Sequence, residues 1–334
     1  MAQAATLPVA SLFYIATIDM TLHIGMVGLG RMGANMAKRL ARGGVAVIGF
    51  DPDPNARAAF AAVAGCQSAD TLEAMVHALP PLRVVWVMVP SGHPTEATIA
   101  ELAPRLHAED VIVDGGNSFY KDSVRRAVDL ASYGVRFVDC GVSGGVWGLE
   151  NGYGLMFGGS PAAAREIEPF ARILAPTTDS GWLHCGPSGS GHFVKMIHNG
   201  VEYGMMQAIA EGVALLKGKQ EFELDVAAIA EMWRHGGVVR SWLLDLTAEF
   251  LRADAELADV APIVADSGEG RWTALEAIEL GVPAPVLSLA LIMRFASQGK
   301  GDYTDRLLAM MRNSFGGHKI EHVAEPSGKA GKGK

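Results

Sequence analysis

The sequence predicts an α/β protein: a doubly wound, mostly parallel sheet followed by an all-helical domain. From residue 22 to about 187, short β-rich runs alternate with helical stretches, the pattern of parallel strands joined by crossover helices. At Gly186-Pro187-Ser188-Gly189-Ser190-Gly191 this gives way to sustained helical periodicity with no further convincing strand. A chain of 334 residues is also long for one core, which favours two domains.

The predicted strands are Leu22–Val27, Val45–Phe50, Arg83–Val89, Val111–Asp114, Arg136–Asp139 and Tyr153–Phe157. Helical stretches fall between them at Arg31–Arg42, Thr95–Leu106, Lys121–Ala131 and Ala162–Leu174. A long helix from about His192 to Lys217 opens the second domain, and Val226–Trp233, Val239–Leu251, Trp272–Leu280, Val286–Ala296 and Tyr303–Asn313 continue it. The expected organisation is an extension over 1–20, a first domain over 21–187, a helical domain over 188–318 and a flexible tail over 319–334. The extension lacks a basic n-region and falls short of the roughly 20 apolar residues of a membrane span, so it reads as an upstream addition without a role in the fold.

Composition excludes several classes of function. Hydrophobic residues make up 49% and charged residues 19%, which describes a globular chain and not a disordered one. The net charge of −8, with no basic block before the terminal Lys-Gly residues, argues against a nucleic-acid surface. Any anionic ligand must be held by locally placed cations. Cys66, Cys140 and Cys185 are odd in number and lack metal or redox spacing, so they are expected to be reduced packing residues in the cytoplasm, with no metal site.

Gly28-Leu29-Gly30-Arg31-Met32-Gly33 follows the first strand and opens an amphipathic helix. In that context Gly28 permits the tight turn, Gly30 lets backbone approach a pyrophosphate, and Gly33 allows the helix to pack on the strand. The phosphates would meet free N–H groups at the positive helix end. The first domain is therefore a Rossmann-type dinucleotide-binding fold. About 20 residues on, Asp51 ends the second strand, where a carboxylate accepts hydrogen bonds from ribose hydroxyls and repels a 2′-phosphate. NAD is expected over NADP, with Arg57 close enough to soften the preference and Asp53 able to take the role if the strand ends later.

Lys195, His198, Asn199 and Glu202 fall within roughly a third of the circumference of the long helix. One face thus carries an amine, an imidazole, an amide and a carboxylate, while Met196, Val201 and Met205 form an apolar face. Two further glycine-rich pieces, Asp114-Gly115-Gly116-Asn117-Ser118 and Val142-Ser143-Gly144-Gly145, should lie at carboxyl ends of strands, where doubly wound sheets bind ligands.

Together with Gly191-His192-Phe193-Val194-Lys195-Met196-Ile197-His198-Asn199-Gly200-Val201-Glu202-Tyr203, Gly270-Arg271-Trp272-Thr273 and Arg312-Asn313-Ser314-Phe315-Gly316-Gly317-His318, these motifs mark a resemblance. From about Leu22 to His318 the chain resembles the decarboxylating 6-phosphogluconate dehydrogenases of the shorter type. The resemblance implies oxidation of 6-phosphogluconate at C3 and loss of CO2 to give ribulose 5-phosphate, a step of the pentose phosphate pathway. It implies Lys195 as base and Glu202 as acid. Asn117, Ser143, Gly144, Gly145, His198 and Asn199 would hold the sugar acid, and Tyr203 and Arg294 its phosphate. Val89 and Pro90 would sit against the nicotinamide, with Asn117 close to both ligands. In the family an arginine and a histidine six residues apart come from the partner subunit, matching Arg312 and His318, so a homodimer is implied. Where the family commonly has a lysine and a threonine, this chain reads Ser267-Gly268-Glu269, which makes the phosphate pocket less cationic and leaves Ser267 as a hydrogen-bond donor.

Two rival readings account for less of the chain. A β-hydroxyacid dehydrogenase acting on a small unphosphorylated acid shares the loop, fold and lysine but leaves Glu202, Arg312 and His318 without roles. A non-catalytic dinucleotide-binding protein would have no use for the Lys195/Glu202 pair.

Overall fold

The computed structural model describes residues 21–316 and 319–321. The chain divides into two compact units, one ending at Val194 and the other starting at Lys195.

In the first unit β1 (His23–Val27), α1 (Arg31–Arg42), β2 (Ala46–Phe50), α2 (Pro54–Ala61), β3 (Cys66–Ser68), α3 (Leu72–Ala78), β4 (Val84–Val87), α4 (His93–Leu102), β5 (Val111–Asp114) and α5 (Tyr120–Ala131) alternate. They are followed by β6 (Arg136–Ser143), α6 (Gly148–Asn151), β7 (Gly154–Gly159), α7 (Pro161–Leu174) and β8 (Trp182–Gly186). One eight-stranded sheet results, in the order β3-β2-β1-β4-β5-β6-β7-β8, with β6 and β7 the antiparallel pair. The order reverses between β1 and β4, so the carboxyl ends of these strands face the crevice where such sheets take ligands.

Period-2 alternation sorts the central strands onto two apolar layers. Val84 and Trp86 join Met26, Met36, Leu40 and Ile167 on one face; Val85 and Val87 join Ile48, Met75, Leu102 and Phe137 on the other. Strands buried on both faces read as continuous apolar runs, which is why the central ones were visible in the sequence.

The elements that the sequence reading missed are short or marginal. β3 has three residues, two of them exposed polar ones, and β8 is an edge strand that is only partly buried. α2 carried a usable signal: Asp53 accepts a hydrogen bond from the Asn55 N–H while Pro54 stands at the first helical position. α3 is started the same way by Thr71, whose hydroxyl accepts from the Ala74 N–H. β6 runs past the expected Asp139 to Ser143, because pairing with β7 continues to Ser143↔Gly154.

The long helix α8 (Ser190–Gly218) leads into the second unit, which continues through α9 (Val226–Gly236), α10 (Trp242–Ala253), α11 (Glu269–Leu280), α12 (Pro285–Ser297) and α13 (Asp302–Gly316). Among the described residues it holds no strand. Cys66 and Cys140 are buried free thiols whose pKa values burial pushes up, as packing residues should be. No helix of the described residues is long and apolar enough to cross a membrane, and none of their His, Cys, Asp and Glu side chains form a group able to hold a metal ion.

Candidate active site

The β1–α1 loop has the shape its glycines predict. Gly28 takes φ +92°, and a Cβ on Gly33 would lie 2.0 Å from the Gly28 carbonyl oxygen, so helix and loop meet backbone to backbone. A Cβ on Gly30, by contrast, would find nothing within 4 Å. Gly30 sits at the amino end of α1 and lines a cavity of about 530 Å³ with Gly28, Asp51, Met88, Val89 and Pro90. An open approach to free helix N–H groups is the cradle a pyrophosphate needs.

Asp51 also lines that cavity. Its Oδ2 accepts from the Leu29 N–H at 2.8 Å and its Oδ1 from the Asp53 N–H at 2.9 Å, which aims the carboxylate while leaving lone pairs for further donors. The Arg57 guanidinium donates to the Asp51 and Pro52 carbonyls at 2.9 and 3.3 Å and so borders the same corner. Leu29 is buried, Met32 packs against the sheet core and Arg31 is exposed. Pro90 accepts from the Thr95 hydroxyl at 2.9 Å, which secures the segment after β4.

The loop that carries Asn117 rests on a buried network that sequence reasoning did not find. Asp114, with no exposed surface, accepts from the Gly116 N–H at 3.0 Å, the Ser118 hydroxyl at 2.8 Å and the Arg126 guanidinium at 2.8 Å. Arg126 is itself buried and also donates to Glu96 at 2.8 Å. Asn117 is left exposed at the loop tip. Ser143, Gly144 and Gly145 stand at the carboxyl end of β6.

Asp139, on β6, was also missed. Its carboxylate is fully buried and accepts from the Gly189 N–H at 2.6 Å and the His192 N–H at 2.8 Å, so it caps the helix that carries Lys195. Burial raises its pKa, against the pull of the His192 charge and of these N–H donors. His192 is buried too, with Nδ1 2.7 Å from the Ser123 hydroxyl. A charged residue inside the apolar run before Ser143 was the only sequence signal.

In the second unit α8 brings Lys195, His198, Asn199 and Glu202 together. Lys195 is 8% exposed and donates from Nζ to Asn199 Oδ1 at 2.5 Å. His198 Nδ1 lies 3.4 Å from the same oxygen and 4.0 Å from Glu202 Oε2. Burial lowers the Lys195 pKa, while Glu202 and Glu269 oppose that shift. The buried Tyr203 carries the Arg294 guanidinium over its ring, 3.4 Å from the centroid, and its hydroxyl is 3.5 Å from that of Ser267. Ser267 donates to Glu269 Oε2 at 2.5 Å. Arg312 is exposed on α13; His318 lies outside the described residues.

Most of the chain is similar to known proteins. Residues 23–181 match the family model for the NAD binding domain of 6-phosphogluconate dehydrogenase, and residues 191–330 match its C-terminal domain. YqeC of Bacillus subtilis, provisionally named a 6-phosphogluconate dehydrogenase, is 40% identical over 90% of this chain and 99% of its own. A protein of Haloferax volcanii named as an NAD(+)-dependent, decarboxylating 6-phosphogluconate dehydrogenase is 42% identical over 90% of this chain and 98% of its own. The solved 6-phosphogluconate dehydrogenase of Plasmodium falciparum, described with NADP+ as its cofactor, superposes with a TM-score of 0.78 at 28% identity, covering 91% of this chain and 67% of the other.

Proposed function

We propose that this chain, which belongs to the 6-phosphogluconate dehydrogenase family, oxidises and decarboxylates 6-phosphogluconate to ribulose 5-phosphate and CO2 in the cytoplasm. The observation that carries the proposal is a buried amine, Lys195, with lowered pKa on the helix face it shares with Glu202.

The Gly28–Gly33 loop, with Val89 and Pro90, would hold a nicotinamide dinucleotide, which would supply a two-electron acceptor for the C3 hydrogen. Asn117, Ser143, Gly144, Gly145, His198 and Asn199 hold the carboxylate and hydroxyls of the sugar acid. Lys195, as neutral amine, takes the C3 hydroxyl proton, and Asn199 orients it through the Nζ–Oδ1 bond. The resulting 3-keto acid loses CO2 because the ketone accepts the bonding pair, and the Lys195 ammonium stabilises the enolate oxygen. Glu202 protonates C1 of the enediol. Tyr203, Ser267 and Arg294 meet the phosphate, for which a guanidinium fork is well suited.

NAD is the preferred cofactor in this reading. Asp51 is aimed by two backbone N–H groups at the ribose corner, where its charge opposes a 2′-phosphate. The active form is a homodimer in which Arg312 and His318 complete the partner's site. Support comes from the helical unit's exposed apolar side chains, among them Leu307, Leu308, Met310 and Met311 around Arg312, an apolar surface of the kind that a second copy would cover.

The test is a steady-state assay with 6-phosphogluconate and each cofactor varied separately. The expected result is equimolar CO2 and NADH with higher kcat/KM for NAD. NADH formed from 3-hydroxyisobutyrate without CO2 would overturn the assignment, and a clear NADP preference would overturn the cofactor reading.

A further inference from the structure

Glu269 is an unusual place for a carboxylate. It is the first residue of α11 and is only 3% exposed, a burial that is costly unless its charge has a purpose or a partner. The helix amino end favours a negative charge there, and the Ser267 hydroxyl donates to its Oε2 at 2.5 Å. Both fix its orientation.

The first turn of α11 is docked on the turn of α8 that follows Lys195. Thr273 Oγ1 lies 2.9 Å from the Glu269 carbonyl and 3.0 Å from the Met196 carbonyl, next in sequence to Lys195. A Cβ on Gly270 would come within 2.5 Å of the Tyr203 ring, so the helices touch where only glycine fits. The start of α11 is thereby held against the turn of α8 after Lys195, and Glu269 is buried there and not on a solvated face.

We propose that Glu269 is a positioning residue for Lys195, its carboxylate stabilising the ammonium that forms when Lys195 accepts a proton from the substrate hydroxyl. The part resembles that of the buried aspartate in a Ser-His-Asp triad, which stays ionised and stabilises the protonated base. It keeps the proton on nitrogen until the enolate oxygen needs it. The other charged and polar groups of this unit on these elements are His198, Asn199 and Glu202 on the helix of Lys195, Arg271 and Glu276 on α11, and Arg294 on α12. Of these Glu202 is the second carboxylate that favours the charged amine. Arg271 is bonded to Asp266 and Arg294 to the Ala265 carbonyl and the Tyr203 ring.

This inference rests on the role of Lys195 given under Proposed function, so its test has one arm independent of turnover. In the apoenzyme the pH dependence of Lys195 acylation, read by peptide mass spectrometry, reports the neutral amine. In Glu269→Gln, Lys195 should acylate several-fold faster at neutral pH, and the acid limb of kcat/KM should move to lower pH with a lower plateau. Glu269→Asp, which keeps the charge, should restore both most of the way; it also serves if Glu269→Gln does not fold, since the carboxylate drawn back by one methylene should give the same shift in smaller measure. Unchanged acylation and an unmoved acid limb in the folded variants would overturn the role of Glu269. Wild-type protein that releases no CO2 while Glu269→Gln still speeds acylation would overturn the proposed reaction and leave this pairing standing.

Discussion

Alanine at Gly30 and alanine at Gly33 should fail in opposite ways. At Gly33 the new Cβ lies 2.0 Å from the Gly28 carbonyl, whereas real Cβ atoms essentially never come closer than 3.0 Å. The obstructing atom is backbone, so α1 must retreat from the loop by roughly 1 Å. Overpacking of this kind costs about 1–3 kcal/mol, and the better helix propensity of alanine returns up to about 1 kcal/mol. A net loss of up to about 3 kcal/mol, centred near 1–2 kcal/mol, lowers Tm by roughly 2–8 °C at that centre for a unit of this size. At Gly30 the Cβ meets nothing and φ is −64°, which alanine adopts freely. The reduced entropy of the unfolded chain and the weaker helix cap roughly cancel, each being worth about 0.5–1 kcal/mol. Folding is unchanged, but the methyl occupies the approach of the pyrophosphate. Losing even one charge-assisted hydrogen bond, about 1.5–3 kcal/mol, weakens NAD binding by at least about tenfold. Scanning fluorimetry of the apoproteins and calorimetric titration with NAD separate the two. Gly30→Ala binding NAD as tightly as wild type, or Gly33→Ala melting with it, would refute the reasoning.

Further outcomes follow from the same geometry. Lys195→Ala should abolish turnover while NAD affinity, read by titration, stays near that of wild type. Because burial lowers the Lys195 pKa and the neutral amine is the base, kcat/KM should rise with pH and level off below the ordinary lysine range; a profile flat from pH 6 to 10, on the order of the span in which shifted lysines titrate, would contradict the assignment. Asp51→Asn removes the charge at the ribose corner and should move the kcat/KM ratio toward NADP, with Arg57 beside the vacated charge. Arg126→Met strands the buried Asp114 carboxylate and should cost about 3–5 kcal/mol in urea unfolding. The Asn117 loop loosens with it, so any surviving activity should show a raised KM.

How legible the chain was depended on how far apart the interacting residues stand. The central strands and their helices were readable because each is an apolar run or an amphipathic period of its own, as in Val84–Val87 or Arg31–Arg42. β3 and β8 were not, since three residues or a half-exposed edge give alternation nothing to act on. The grouping of Lys195, His198, Asn199 and Glu202 followed from helical spacing alone, and the hydrogen bond between Lys195 and Asn199 is what four-residue spacing permits.

The sequence by itself therefore determined whatever neighbouring residues settle among themselves: the alternation of strand and helix, the open glycine loop after β1, and one helix face with an amine and a carboxylate. Only the tertiary structure decided what supports that chemistry. Asp139 reaches residues 50 and 53 positions away to cap α8, Asp114 finds Arg126 under the Asn117 loop, and Glu269 is buried at the start of a helix that begins far along the chain from Lys195. The physical reason is that a carboxylate looks alike in sequence whether it is solvated or buried. Its environment is set by which elements pack over it, and packing is a property of the whole fold.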